Sequence, residues 1–155
     1  MNKEEFTVRI EAMQGTLYGM ARTYLPIPAD CADAVQEAVF SAWRNLASLR
    51  NERYFESWVV RILINECKNI LRKTKRTVLV AEMADAAAPE GADPAVYEAV
   101  YSLHVRYRAP FVLYHVEGYS VKEISGMLHL PQGTVTSRLQ RARRILKNML
   151  EGELA

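Results

Sequence analysis

The sequence predicts an all-α protein in which two small helical domains are joined by a flexible acidic linker. Apolar residues recur at spacings of three and four along most of the chain, which is the period of amphipathic helices. Residues 77–94 interrupt this pattern with a stretch rich in Ala, Asp, Glu, Gly and Pro, a composition typical of a linker. We therefore expect one domain at residues 1–76 and another at residues 95–155.

The N-terminal domain is expected to contain three helices. Residues 4–24 carry one continuous apolar stripe, which predicts a single amphipathic helix. Two prolines then break the chain, and a second helix is expected at residues 31–46. Its expected core stripe is Val35, Val39 or Phe40, Trp43 and Leu46. A loop at residues 47–53 leads to a third helix near residues 54–73, where basic residues accumulate towards the end.

The first part of the C-terminal domain shows one helical face followed by a proline. The face is formed by Val96, Val100, Leu103 and Tyr107. Proline is favoured in the first turn of a helix because its missing N–H costs nothing there. Pro110 is therefore expected to begin a further helix.

The second part of this domain has the pattern of a helix-turn-helix. Ser120 and Glu123 form a capping box, which satisfies backbone amides at the start of a short helix. Residues 129–131 form the turn, and a second helix begins near Pro131 or Gln132. The inward positions are Val121, Ile124 and Leu128 in the first helix and Val135, Leu139, Ala142 and Leu146 in the second.

The outward face of that second helix carries the chemistry of a helix that reads the major groove. Arginine can pair with guanine and glutamine with adenine, while serine and threonine can bond to base edges or phosphates. The residues predicted to bind DNA are Gln132, Thr134, Thr136, Ser137, Arg138, Gln140, Arg141 and Arg144. The alternative is a solvated basic helix, which the capping box and the turn disfavour.

The same residue patterns argue against catalysis, metal binding and membrane insertion. The histidines and the two cysteines, Cys31 and Cys67, lack the spacing of a metal site, and no nucleophile motif occurs. We expect no cofactor, no metal and no enzymatic activity. The N-terminal residues lack a signal-peptide pattern, and charges interrupt every apolar run, so a cytoplasmic protein without membrane insertion is expected.

Together with the helix-turn-helix, residues 30–44 and 55–65 resemble the sigma factors of the extracytoplasmic-function group, which contain only regions two and four. The resemblance implies region two at residues 1–76, a linker at residues 77–94 and region four at residues 95–155. It implies core RNA polymerase, through its clamp and flap, as a partner. Promoter DNA and an anti-sigma factor are the other implied partners.

The resemblance also implies roles for residues of region two. The residues expected to contact polymerase are Asp33, Gln36, Glu37 and Phe40, with Trp43 beside them. The alternative for both aromatic residues is burial in the core. The residues expected to bind the minus-ten element are Arg50, Asn51, Arg53, Tyr54, Trp58, Arg61, Asn65, Lys68 and Arg72, with Lys73 beyond them. For Trp58 the alternative is again burial.

Two residues depart from the family pattern in the helix-turn-helix. Ser125 stands where alanine is usual, and His129 stands where glycine is common in the turn. A left-handed backbone at His129 would carry modest strain.

A second hypothesis is a dimeric helix-turn-helix regulator, which would bind an operator alone, whereas a sigma factor requires core polymerase for tight promoter recognition.

Overall fold

The computed structural model describes residues 1–74, 91 and 93–154, which form two compact units at Met1–Val78 and Leu79–Ala155. We call these the N-terminal and C-terminal units and describe each by itself. The regular elements of the described residues are helical, as the sequence predicts. Most of the expected linker lies outside the described residues.

Each unit is a short series of helices. The N-terminal unit contains α1 (Lys3–Ala12), α2 (Gln14–Tyr24), α3 (Pro28–Arg44), the 3-10 turns Leu46–Ser48 and Glu52–Tyr54, and α4 (Phe55–Thr74). The C-terminal unit contains α5 (Pro94–Ser102), α6 (Val105–Phe111), a π-helical turn (Val112–Val116), α7 (Val121–Leu128) and α8 (Gln132–Leu154).

The single helix expected at residues 4–24 is wrong, because the chain divides into α1 and α2 at Met13. The apolar stripe itself is buried as expected, at Phe6, Ile10, Met13, Leu17, Met20, Ala21 and Tyr24. The Met13 N–H donates to the carbonyl of Ile10 at 3.0 Å, a tighter pattern than that of an α-helix. Gly15, which has low helix propensity, follows directly after this point. The break at Met13 leaves the stripe buried on both helices.

The core stripe expected for the second helix is also wrong in part. The buried residues of α3 are Cys31, Ala34, Val35, Ala38 and Ala42, whereas Val39 and Leu46 are half-buried. Phe40 and Trp43 are 50% and 43% exposed. The α3 helix packs along α4, which buries Phe55, Val59, Val60, Leu63, Ile64 and Cys67. Small side chains on α3 allow the larger ones of α4 to lie close to its backbone.

The expectation that Pro110 begins a helix is wrong. Pro110 lies inside α6, and the break falls earlier, where Leu103 adopts an extended backbone between α5 and α6. His104 caps α6, since its Nδ1 accepts a hydrogen bond from the Arg106 N–H at 3.1 Å. The chain widens into the π-helical turn immediately after Phe111, within two residues of the proline.

The helix-turn-helix has the predicted geometry. The Ser120 Oγ accepts from the Glu123 N–H, and a Glu123 carboxylate oxygen accepts from the Ser120 N–H, each at 3.1 Å. His129 is left-handed with a φ of 56°, and the Ser125 hydroxyl donates to the carbonyl of Leu130 within the turn. The expected inward residues Ile124, Leu128, Val135, Leu139, Ala142 and Leu146 are buried, and Val121 is half-buried.

A buried arginine ties α5 to α6 in the C-terminal unit. Arg108 is only 4% exposed, and its guanidinium donates to the carbonyl oxygens of Tyr101 at 3.0 Å and Leu103 at 2.8 Å. These carbonyls lie at the end of α5, where the helix leaves its last acceptors without backbone donors. Arg108 therefore satisfies this helix end from inside the core.

Replacing Arg108 with alanine is expected to lower the free energy of unfolding of the C-terminal unit by about 3 kcal/mol, because two carbonyls lose their donor and a cavity opens. Arg106 is exposed on the same helix, so Arg106→Ala is a matched control expected to change stability by less than about 0.5 kcal/mol. Hydrogen exchange of the α5 to α8 amides in the full chain measures both. Equal protection in the two variants would contradict this role.

The stability of the C-terminal unit is expected to fall at acid pH. Partial burial, with Arg106, Arg108 and Arg138 nearby, lowers the pKa of His104. The unfolded chain then binds more protons than the folded chain as the pH falls through the ordinary histidine value of about 6.5, so stability is lost below it. His115 contributes with the same sign, since burial and Arg143 lower its pKa.

The His104→Asn variant keeps a cap that does not titrate, so it should lose part of this pH dependence. Thermal unfolding of the wild type and the variant between pH 8 and pH 5 (roughly one to two units either side of the ordinary histidine pKa) tests this. An unchanged slope in His104→Asn would show that His104 does not carry the effect.

Candidate functional site

One exposed face of α3 holds every residue that was expected to contact polymerase. Asp33, Gln36, Glu37, Phe40 and Trp43 are all exposed and lie opposite the buried row of small residues. The Trp43 ring still touches the core at one edge, with its centroid 5.0 Å from that of Phe6. Phe40 is therefore not a core residue, whereas Trp43 combines an exposed side with a contact to the core.

A second stripe runs along α4 and begins in the turn before it. Its members recur at spacings of three and four, which places them on one side of a helix: Tyr54, Trp58, Arg61, Asn65, Lys68 and Arg72. Trp58 and Lys68 are half-buried and the other four are exposed. From Trp58 to Arg72 the stripe is about 21 Å long at 1.5 Å per residue. At its end, the Arg72 guanidinium donates to the side-chain oxygen of Asn69.

The loop before α4 presents the remaining residues expected to bind the minus-ten element. Arg50, Asn51, Arg53 and Tyr54 are all exposed. The Asn51 side-chain oxygen accepts a hydrogen bond from the Arg53 N–H at 3.0 Å and caps the 3-10 turn. Its amide NH₂ group and the second lone pair of its oxygen are left, so Asn51 can approach a nucleotide as a donor or as an acceptor.

Arg9 of α1 contacts this loop and was not identified from the sequence. Its guanidinium donates to the backbone oxygen of Glu52 at 2.9 Å and to the Glu56 carboxylate at 3.0 and 3.2 Å. The guanidinium carbon also lies 4.6 Å from the centre of the Phe55 ring. Partners 43 and 47 residues away leave no local signal that sequence periodicity could detect.

A groove between α3 and α4 adjoins the exposed face of α3 and the stripe of α4. It is lined by Asp30, Asp33, Glu37, Glu66, Asn69, Ile70, Arg72 and Lys73. Carboxylates dominate its α3 side, and the two cations stand on α4. Sequence reasoning missed Asp30 and Glu66 as part of this surface, because they come together with the others only when the two helices pack.

The expected DNA-binding residues of the C-terminal unit lie along the solvent side of α8. Gln132, Thr136, Ser137, Gln140, Arg141 and Arg144 are exposed, and Thr134 and Arg138 are half-buried beside them. The Arg141 guanidinium lies 6.0 Å from the centre of the Tyr107 ring, a distance at which a cation and an aromatic face attract each other.

Two cations of the same basic run pair with partners inside the unit. The Arg143 Nε donates to the Nε2 of His115 at 3.1 Å, and its guanidinium lies over the Tyr114 ring at 5.5 Å. Lys147 pairs with Glu151 at 3.9 Å. Arg143 is therefore turned towards the π-helical turn, which distinguishes it from Arg141 and Arg144.

The described residues hold no group of three or more histidine, cysteine or acidic side chains that could bind a metal ion. Cys31 and Cys67 are buried free thiols. Burial raises the pKa of Cys31 to about 11 and that of Cys67 to about 12, so neither is a thiolate at neutral pH. Across the same described part of the chain, every helix is too short or too polar to cross a membrane.

Family models match both units. The chain matches Sigma-70 region 2 over residues 9–77 and Sigma-70, region 4 over residues 94–146. The ECF RNA polymerase sigma factor SigM of Mycobacterium tuberculosis (strain H37Rv) is 35% identical over an alignment of 139 positions that covers 86% of this chain and 71% of that protein. The ECF RNA polymerase sigma-E factor of Haemophilus influenzae is 28% identical over a gapped alignment of 170 positions that covers 97% of this chain and 89% of that protein.

Solved structures share the fold. The sigma factor RpoE of Bartonella quintana, in complex with the anti-sigma factor NepR, superposes with a TM-score of 0.82 at 21% identity and covers 96% of this chain and 98% of its own. CnrH, in complex with the cytosolic domain of CnrY, gives a TM-score of 0.73 at 24% identity over 97% and 90%. The family models and the 35% identical relative show that the chain belongs to the extracytoplasmic-function sigma factors, with region 2 followed by region 4.

Proposed function

We propose that this chain binds core RNA polymerase and directs promoter recognition, promoter melting and transcription initiation, and that the polymerase supplies all of the chemistry. The observation that carries this proposal is the separation of two surfaces on one unit. The residues expected to contact polymerase lie on the exposed face of α3, and most of those expected to contact the minus-ten element lie on the stripe of α4. A bridging factor needs two such surfaces, because it must hold a protein and a DNA strand at once.

The α3 face is assigned to the polymerase clamp. Asp33 and Glu37 supply negative charge, and Phe40 and Trp43 supply large apolar surface that the fold leaves exposed. Aromatic anchors beside charged groups are typical of residues that dominate protein interfaces. The groove beside this face adds the carboxylates of Asp30 and Glu66, so negative charge on this side would favour a basic surface on the partner.

The α4 stripe and the loop before it are assigned to the melted minus-ten element. Tyr54 and Trp58 offer aromatic surfaces on which unpaired bases can stack. Arg61, Lys68 and Arg72 follow at intervals that can neutralise successive backbone phosphates. Arg50, Asn51 and Arg53 add hydrogen-bond donors around the position of an extruded base.

Region 4 is assigned to the minus-thirty-five element and to the polymerase flap. The exposed side of α8 places hydroxyl and amide groups near its start and guanidinium groups further along. Arg141 is exposed among these guanidinium groups, where it can reach a base edge or a phosphate.

An anti-sigma factor is the regulatory partner that we propose. It follows from the Bartonella quintana structure, in which a chain of the same fold is bound to the anti-sigma factor NepR. The aromatic face of α3 offers a surface for which such a protein and the polymerase could compete. We place the chain in the cytoplasm, where polymerase and promoter DNA are found.

Run-off transcription with purified core polymerase on pooled promoter fragments tests the proposal. Arg141→Ala is expected to reduce protein-dependent transcripts about tenfold, since one base contact is worth about 1–3 kcal/mol. Arg143→Ala removes the same charge from the same helix but lies against His115, so it is the matched control and should retain most activity.

Three outcomes would count against these assignments. Equal losses in Arg141→Ala and Arg143→Ala would show that the charge of α8 matters and not the placement of Arg141. Tight binding to DNA without polymerase, and without new transcripts, would favour the dimeric regulator. No protein-dependent transcript from any fragment would contradict the proposed function itself.

A further inference from the structure

We propose that Arg9 is a positioning residue for minus-ten recognition, which fixes the loop before α4 in the shape that selects an extruded base. This inference rests on the proposed function of that loop. It assigns a role in promoter selectivity to α1, whose residues are distant in sequence from the loop. Arg9 itself need not touch DNA, since it acts through the residues that it holds.

The contacts of Arg9 converge on the junction between the loop and α4. One guanidinium nitrogen donates to the backbone oxygen of Glu52, the first residue of the 3-10 turn. The same nitrogen donates to Glu56 in the first turn of α4, and the guanidinium carbon lies over the ring of Phe55. One side chain therefore contacts the start of the 3-10 turn and the first two residues of α4.

The Arg9 side chain lies at the edge of the core. It is 30% exposed and its partner Glu56 is 46% exposed, while the Phe55 ring beneath it is fully buried. The ion pair alone is therefore worth little, and the role of Arg9 rests on the combination of its charge-assisted hydrogen bonds with the contact to Phe55. All of these hydrogen bonds leave from one guanidinium nitrogen, while the planar group also lies over the Phe55 ring, an arrangement that the ammonium group of a lysine cannot reproduce.

The residues next to these contacts are the expected base readers. Arg53 and Tyr54 complete the turn that Glu52 begins, and both are exposed. The other side-chain hydrogen bonds described for this loop are mostly local: Asn51 to Arg53, Ser57 to Tyr54, and Ser48 to Asn45. Met1 also reaches the loop, where its amino group lies 2.9 Å from the Glu52 carboxylate.

The Arg9 contact differs from these because it fixes the main chain of the loop to another helix. Recognition sites lose selectivity when their supporting residues allow shifts of about 1 Å. A loop released at Glu52 would still carry its arginines and its tyrosine, but it would no longer present them in one arrangement. Loss of Arg9 should therefore reduce discrimination between bases more than it reduces binding of the strand.

The test measures binding of the holoenzyme to single-stranded DNA. The probe is a non-template oligonucleotide spanning the minus-ten element of a promoter that the wild type transcribes, together with versions that carry one substituted base. For each protein, the ratio of affinities for the original and the substituted strands gives selectivity at that base. Thermal unfolding of each variant shows that it is folded at the assay temperature.

Arg9→Ala is expected to lower the selectivity ratio about tenfold at one base position, while affinity for the substituted strands changes less than about threefold. Arg9→Lys keeps the charge without the planar guanidinium over Phe55 and should recover part of the ratio. Arg22→Ala is the matched control, because Arg22 is also half-buried and donates to a backbone oxygen, that of Pro26 at 3.0 Å, away from the loop. Its ratio should equal that of the wild type.

The outcomes separate this inference from the proposed function. A wild-type ratio in Arg9→Ala, together with a reduced ratio in Arg53→Ala, would overturn the role of Arg9 and leave the loop as the reader. Equal losses in Arg9→Ala and Arg22→Ala would also overturn it, since general destabilisation would explain both. A wild-type holoenzyme without selectivity at any base would contradict the function proposed for the loop.

Discussion

The contact between α3 and α4 is the constraint on which the N-terminal unit depends. Ala34, Ala38 and Ala42 form a row of fully buried small side chains on α3. Such a row lets the aliphatic residues of α4 approach its backbone, as close packing requires. Because each helix has one face committed to this contact, its opposite face must meet solvent or a partner. The packing therefore places the exposed face of α3 and the stripe of α4 on the outer sides of the helix pair, with the groove between them.

The same contact explains why large aromatic residues lie outside the core. Small residues with Val35 already fill the buried face of α3, so Phe40 lies outside it and Trp43 meets the core only at one edge. Exposing these two rings costs free energy in the isolated chain. Under the proposed function, contact with polymerase covers both rings and recovers that cost. The α1 helix completes the arrangement, since Phe6 packs against Phe55 and Trp43 while Arg9 holds the loop. One core thus supports both the exposed face of α3 and the loop before α4, the two surfaces that we propose bind polymerase and DNA.

The features that the sequence predicts correctly are those set by local chemistry. A capping box, a turn and an apolar stripe need only neighbouring residues, so the helix-turn-helix and its buried positions could be predicted in detail. The stripe of α1 and α2 is also right, although the break at Met13 is not visible in it. The core side of α3 differs from the expected stripe because packing against α4 selects small residues.

The features that could not be predicted depend on residues far apart in the chain. Arg9 meets its partners only after α1 has packed against the start of α4, and the groove between α3 and α4 exists only in the folded unit. Pro110 shows the same limit, since a proline can be accommodated within a helix when the following turn widens. The helical period predicts which sides of α3, α4 and α8 are exposed. It does not predict what binds to them, which depends on the chemistry of each partner.

The most direct test of this account replaces Phe40 or Tyr54 with a photo-crosslinking phenylalanine analogue in the complex of holoenzyme and open promoter. The account predicts that position 40 crosslinks to a polymerase subunit and that position 54 crosslinks to the non-template strand of the minus-ten element. Crosslinking of both positions to DNA, or of neither to its assigned partner, would contradict the division of the N-terminal unit into a polymerase face and a DNA face.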